Sequence, residues 1–232
     1  MTFWERLKDT IRAIGRGESI VEALDRLRGH PERSIAFTIA VIALGAKMAK
    51  ADGRVTRDEI AAFREVFHIP PDAEAEAARV YNLARTDVAG FDTYAQRVQR
   101  MFEDRPEVLA DLLEGLCHIA AADGEFHPDE ESFLDEVARI FAVAPGVYTS
   151  IKARQIPGAY DPFAVLGVAP DIEPSALRRH YRALVKTLHP DSLMARGIPA
   201  EARALSEQRL AQVNAAYAEI TGASSGPDGA VA

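Results

Sequence analysis

From about residue 31 to residue 154 the apolar positions recur at the three- and four-residue steps of helices, and no alternating strand pattern interrupts them. Residues 35–44 and 108–119 are apolar nearly all round, which predicts two helices buried at the centre of a domain. Ahead of them Phe3, Trp4, Leu7, Ile11 and Ile14 share one face of a first helix, within an amphipathic segment over residues 1–30, while Arg6, Lys8, Arg12 and Arg16 lie elsewhere on it. Such a helix can pack on the following domain, the preferred reading, or residues 1–17 can touch an anionic membrane surface. Near the C-terminus Leu177, Tyr181, Leu184 and Leu188 form one stripe, and Leu210, Val213, Tyr217 and Ile220 a second, so two helices can pair as an antiparallel hairpin. Pro190 lacks a backbone N–H and disfavours helical geometry before it, which ends the first of these helices near His189. Pro199 can open the second. The chain is therefore expected to be all-α.

An internal duplication is also visible. Met48-Ala-Lys-Ala-Asp-Gly-Arg-Val55 with Glu59 repeats 71 residues later as Ile119-Ala-Ala-Ala-Asp-Gly-Glu-Phe126 with Glu130, and Phe63 and Val66 pair with Leu134 and Val137 at the same offset. In each copy Asp-Gly can end one helix. Thr56 with Glu59 makes a capping box for the next helix in the first copy, and Pro128 takes a first-turn position in the second. The acidic turns resemble the second half of a calcium loop, but the positions that should supply the first two carboxylates hold Met48 and Lys50 in one copy and Ile119 and Ala121 in the other. A structural helix-turn-helix is the favoured reading. A cation would need Asp52, Glu59, Asp123 and Glu130 brought together across the duplication.

Composition narrows the function classes. The chain has 232 residues and a net charge of −8. Residues 158–221 hold seven Lys/Arg and seven Asp/Glu, whereas residues 1–157 hold 20 against 27, a balance that argues against a nucleic-acid partner. Cys117 is the sole cysteine; among Leu113, Leu116 and Ile119 it is expected to be a buried apolar residue, and a reducing, cytoplasmic setting fits. Scattered histidines, no phosphate-binding Gly loop and no nucleophile in a recognisable setting give no enzyme signature and no cofactor. A Pro/Gly break over 155–159 is the expected boundary between a domain at 31–155 and one at 158–221, and the Gly/Ser/Ala-rich residues 222–232 read as a disordered tail.

One more feature lies on the first hairpin helix. Arg178, Arg182 and Lys186 recur every four residues as a cationic ridge, which can dock an acidic surface. Together with Tyr160-Asp-Pro-Phe-Ala-Val-Leu-Gly-Val168, Leu177-Arg-Arg-His-Tyr-Arg-Ala-Leu184, His189-Pro-Asp191 and Val213-Asn-Ala-Ala-Tyr217, in that order, residues 158–221 resemble a DnaJ-type J domain. The long loop from Ser192 to Pro199 resembles the DjlA-like subgroup, and the paired Ala-Asp-Gly turns resemble the all-helical TerB domain found ahead of the J domain in such chains. The resemblance implies a co-chaperone in protein folding or stress response that stimulates ATP hydrolysis by a DnaK-type chaperone. His189, Pro190 and Asp191 would form the contact loop and Arg178, Arg182 and Lys186 the docking ridge, with the N-terminal domain directing it to a client not identifiable from sequence. The chain departs from the family pattern in two ways: the residue after the tripeptide is Ser192 where Lys is usual, and the membrane-spanning first helix typical of the subgroup is replaced by the basic amphipathic one. The other reading is a metal-responsive or tellurite-resistance-like binding protein in which the hairpin is secondary.

Overall fold

The computed structural model describes residues 3–16, 18–26, 33–52, 74–86, 90–189, 192 and 203–222, and among these every regular element is a helix. In chain order they are α1 (Phe3–Gly15), α2 (Ile20–Arg26), α3 (Arg33–Asp52), α4 (Glu74–Thr86), α5 (Phe91–Met101), α6 (Pro106–Ala120), α7 (Pro128–Ile140), α8 (Pro145–Gln155), α9 (Pro162–Leu166), α10 (Pro174–Leu188) and α11 (Arg203–Thr221). Six of them, α6 to α10 among these, open on a residue suited to a helix start: proline begins α6, α7, α8, α9 and α10, and Ser19 caps α2. Proline there loses nothing, because the first-turn N–H has no intrahelical partner and its fixed φ is already helical. At α2 the cap is reciprocal: Glu22 N–H donates to Ser19 Oγ at 3.1 Å and Ser19 N–H to Glu22 Oε2 at 2.8 Å.

The all-round apolar stretches are the buried axes of the larger core. Residues 35–48 of α3 are all buried, and α3 packs against α1, α2, α4, α5, α6 and α7. Almost all of α6 is buried as well, including Cys117, whose thiol burial pushes up, with Glu114 adding to the effect. Such a thiol is inert. Leu7, Ile11 and Ile14 bring the apolar face of α1 into this same core, so the first helix packs on the protein through the face that could otherwise have met a membrane.

The duplication extends beyond the two acidic turns. Helices α2 and α5 begin at Ile20 and Phe91, and α4 and α8 at Glu74 and Pro145, each 71 residues apart. The buried positions keep step: Ala23 with Tyr94, Leu24 with Ala95, Met48 with Ile119, Val80 with Ile151 and Ala84 with Gln155. The first copy thus runs through α2, α3 and α4, and the second through α5, α6, α7 and α8. Residues 53–73, which carry Thr56, Glu59, Phe63 and Val66, lie outside the described residues.

A second core, smaller and separate, unites Ala153 of α8 with Val165 and Leu166 of α9, Leu177 and Leu188 of α10, and Val213 and Ala216 of α11. Between the two cores sits a buried charge cluster. Glu114 of α6, only 1% exposed, receives two hydrogen bonds from Arg154 of α8, Nε to Oε1 at 2.8 Å and Nη2 to Oε2 at 2.9 Å. Arg209 of α11 donates from Nη1 to Asp111 Oδ1 at 2.6 Å and places Nη2 2.6 Å from Glu114 Oε2. Gln155 Nε2 adds a bond to Glu114 Oε1 at 3.2 Å, and its own Oε1 faces His118 Nδ1 at 3.1 Å. Burial alone would raise the Glu114 carboxyl, but the Arg209 and Arg154 guanidiniums outweigh it and hold the group at about 2.

Two outcomes follow from this packing. Leu113→Ala, at a fully buried position of α6, should cost about 2–5 kcal/mol, whereas Leu83→Ala on the exposed side of α4 should stay within about 0.5 kcal/mol; chemical denaturation distinguishes them. Because the Glu114 carboxyl is held below its ordinary 4.5, the stability it supplies is complete above pH 4.5 and lost as pH falls from there toward 2. Denaturation across that window should show a steeper loss for the parent than for Glu114→Gln, and parallel curves would contradict the assignment.

Candidate functional site

The hairpin is built from its caps inward. Asp161 opens α9 by accepting from the N–H groups of Phe163 at 2.8 Å and Ala164 at 3.2 Å. Gly167 ends it at φ +68, a left-handed geometry that glycine adopts without strain, where an added Cβ would also lie 3.1 Å from Ser150 Oγ. Glu173 then caps α10, accepting from Ser175 N–H at 2.7 Å and Ala176 N–H at 3.1 Å. His180 Nε2 lies 2.7 Å from the Leu166 carbonyl and so donates to it, tying α10 to the end of α9.

Helices α10 and α11 run antiparallel. Going up α10, Tyr181 stacks on Tyr217 with ring centroids 3.9 Å apart and donates from its hydroxyl to Asn214 Oδ1 at 2.8 Å, and the Leu188 carbonyl accepts from Ser206 Oγ at 3.0 Å. At the far end Tyr160 donates to Glu219 Oε2 at 2.6 Å, a bond that, with burial, pushes the phenol up to about 12. Leu177 and Leu188 are buried and Tyr181 and Leu184 half-buried against the second core, so the predicted stripe is the packed face.

The opposite side of α10 faces water. Arg178, Arg182 and Lys186 are all exposed, and none is paired with another described residue. The helix ends at His189, which is exposed and leaves helical geometry at φ −59 and ψ 138. Its carbonyl accepts from Ser192 N–H at 2.9 Å, and Ser192 Oγ donates to the Lys186 carbonyl, also at 2.9 Å. Ser192 therefore satisfies an end-of-helix carbonyl that would otherwise lack a partner. Pro190, Asp191 and Pro199 lie outside the described residues, as do residues 223–232. The ridge thus lies on α10 and His189 caps the C-terminal end of that same helix.

The acidic-turn residues are placed differently. Asp52 is the last residue of α3, and Glu59 lies outside the described residues. Glu130 is buried and accepts from His127 N–H at 3.0 Å, so it caps α7. Asp123 accepts from Glu125 N–H at 3.0 Å within its own turn. No group of three or more metal-ligating side chains occurs among the described residues, and none of their helices is long and apolar enough to cross a membrane. Sequence reasoning missed Asp111, Glu114, Arg154 and Arg209. The signal was present in α6, where Asp111 and Glu114 fall inside the nearly all-round apolar stretch 108–119 and, buried there, require cations from elsewhere.

Comparison with known proteins places these features in a family. The family model described as tellurite resistance protein TerB matches residues 38–153. Co-chaperone protein DjlA of Coxiella burnetii is 28% identical over 194 residues, covering 75% of this chain and 72% of that protein. The DjlA proteins of Photobacterium profundum and Escherichia coli (strain K12) are 26% identical over 216 residues and 22% identical over 213; each alignment covers 80% of this chain, and 77% and 79% of the relative. No solved structure matches the chain. With the TerB match running from α3 through α8, and similarity to DjlA proteins extending past it, the chain belongs to the TerB family and is DjlA-like.

Proposed function

We propose that this protein is a co-chaperone, with a TerB-like domain at 31–155 and a J domain at 158–221 that stimulates the ATPase of a DnaK-type chaperone through His189, Pro190 and Asp191. The observation that carries this reading is α10 itself: it buries one face in the hairpin, holds Arg178, Arg182 and Lys186 in water, and ends at His189. The ridge supplies long-range attraction to an acidic patch on the chaperone, a term that salt weakens. The loop supplies specificity, since the Asp191 carboxylate can accept charge-assisted hydrogen bonds from a partner arginine and the His189 imidazole offers a donor and an acceptor. ATP consumption by the partner and a sole, buried cysteine in this chain both suit the cytoplasm. The N-terminal region directs the J domain to its client. Any membrane contact would fall to the exposed Arg6, Arg12 and Arg16, because the apolar face of α1 is inside.

Single-turnover ATPase of the cognate DnaK-type chaperone tests the loop. His189→Gln or Asp191→Asn should abolish stimulation while unfolding free energy stays within about 0.5 kcal/mol of the parent, as for an exposed substitution; undiminished stimulation by either variant refutes the reading. The ridge is tested by association kinetics. Arg182→Glu or Lys186→Glu should slow binding to the chaperone by roughly tenfold at low salt, and the parent's own on-rate should fall as ionic strength rises. A parent on-rate indifferent to salt would remove electrostatic docking from the mechanism.

A further inference from the structure

Helix α11 is engaged on two sides. Val213, Ala216 and Tyr217 pack in the second core with α9 and α10, while Arg209 and Gln212 reach α6 and α8. Arg209 is 5% exposed and spans Asp111 and Glu114 on successive turns of α6. One turn along, Gln212 Nε2 donates to the carbonyl of Arg154 at 2.8 Å, and Arg154 Nη1 donates in return to the Val165 carbonyl of α9 at 3.2 Å. One turn the other way, buried Ser206 holds the carbonyl of Leu188, the residue directly before His189. A single stretch of α11, residues 206–212, therefore grips α6, α8 and the C-terminal end of α10 together.

We propose that Arg209 is a positioning residue that fixes the hairpin to the α1–α8 body in one orientation, with the cationic ridge and His189 exposed to solvent. Apolar packing through Ala153 and the bonds that Arg154 makes to Val165 and Gln212 tie the hairpin to α8 but not to α6. A planar guanidinium whose Nη1 and Nη2 each lie 2.6 Å from a different carboxylate is far more directional, since rotating it away costs charge-assisted contacts in a buried site. The two parts of the chain then present the chaperone and whatever the body carries as one rigid unit.

The test uses the full chain with spin labels at Ser132→Cys on α7 and Ala183→Cys on α10, both exposed positions, while native Cys117 is buried and will not label. Electron–electron distance measurement on the parent should give one narrow distance. Arg209→Gln, and Arg209→Gln combined with Asp111→Asn so that one charge of each sign is removed, should lose that single distance and give a broad or multiple distribution. A broad distribution in the parent overturns the proposal, as does a distance in the double variant as narrow as the parent's. Its functional arm rests on the co-chaperone reading: stimulation of the chaperone ATPase should persist in the double variant, whose ridge and loop are intact. Absence of stimulation in the parent would refute that reading and leave the distance result standing, so the two failures are separable.

Discussion

Glu114 and its two guanidiniums set the architecture around them. A carboxylate at 1% exposure is tolerable only where cations and hydrogen-bond donors replace its water, and α6 has none of its own to offer at that point. Arg154 arrives from α8 and Arg209 from α11, so three helices distant in sequence are brought to one place. Buried ion pairs contribute little net stability compared with well-packed apolar groups, but they are demanding about geometry. In this protein that demand falls on the angle between the helical body and the hairpin.

The charge distribution complements that angle. Residues 1–157 hold 20 cationic against 27 acidic side chains, whereas the hairpin is balanced overall and concentrates three cations on one side of α10. On the proposed docking mode, an acidic partner would be repelled by the body and drawn to the ridge. The body would then narrow the directions of approach to the ridge, in the manner of focusing by a charged surround. The ridge in turn is available because α10 spends its apolar face on α9 and α11 and because no acidic side chain among the described residues neutralises it.

Much of this was legible in the chain. The all-round apolar character of residues 35–44 and 108–119 gave α3 and α6 as buried axes, and the Leu177, Tyr181, Leu184, Leu188 stripe gave the packed face of α10 and, by exclusion, the ridge. Periodicity shows which face is buried, since burial needs only apolarity at the right spacing. It does not show what the face is buried against, which is why α1 could be read toward a protein or a membrane until Leu7, Ile11 and Ile14 were seen in the core. The duplication was recognised at its acidic turns, where identity is high, but not at α2 and α5 or α4 and α8, where only the register of burial is shared. The carboxylates of α6 hint at buried cations, but not at which ones, for a different reason: Asp111 and Arg209 are 98 residues apart, and no local pattern links them.

The repeat also explains why the hairpin has one seat and not two. Stepping back 71 residues from Asp111, Glu114 and Arg154 leads to Ala40, Ala43 and Leu83. The first copy thus shares the scaffold of the second but lacks both carboxylates that receive Arg209 and the arginine that shares Glu114; its two alanines are fully buried, and α1 packs on α3 and α4. A pair of near-equivalent halves would otherwise offer the hairpin two competing addresses and the molecule two shapes. Arg209 finds its two carboxylates in the second copy alone, so the asymmetry of the hairpin's seat is written in the chemistry of one copy of the repeat.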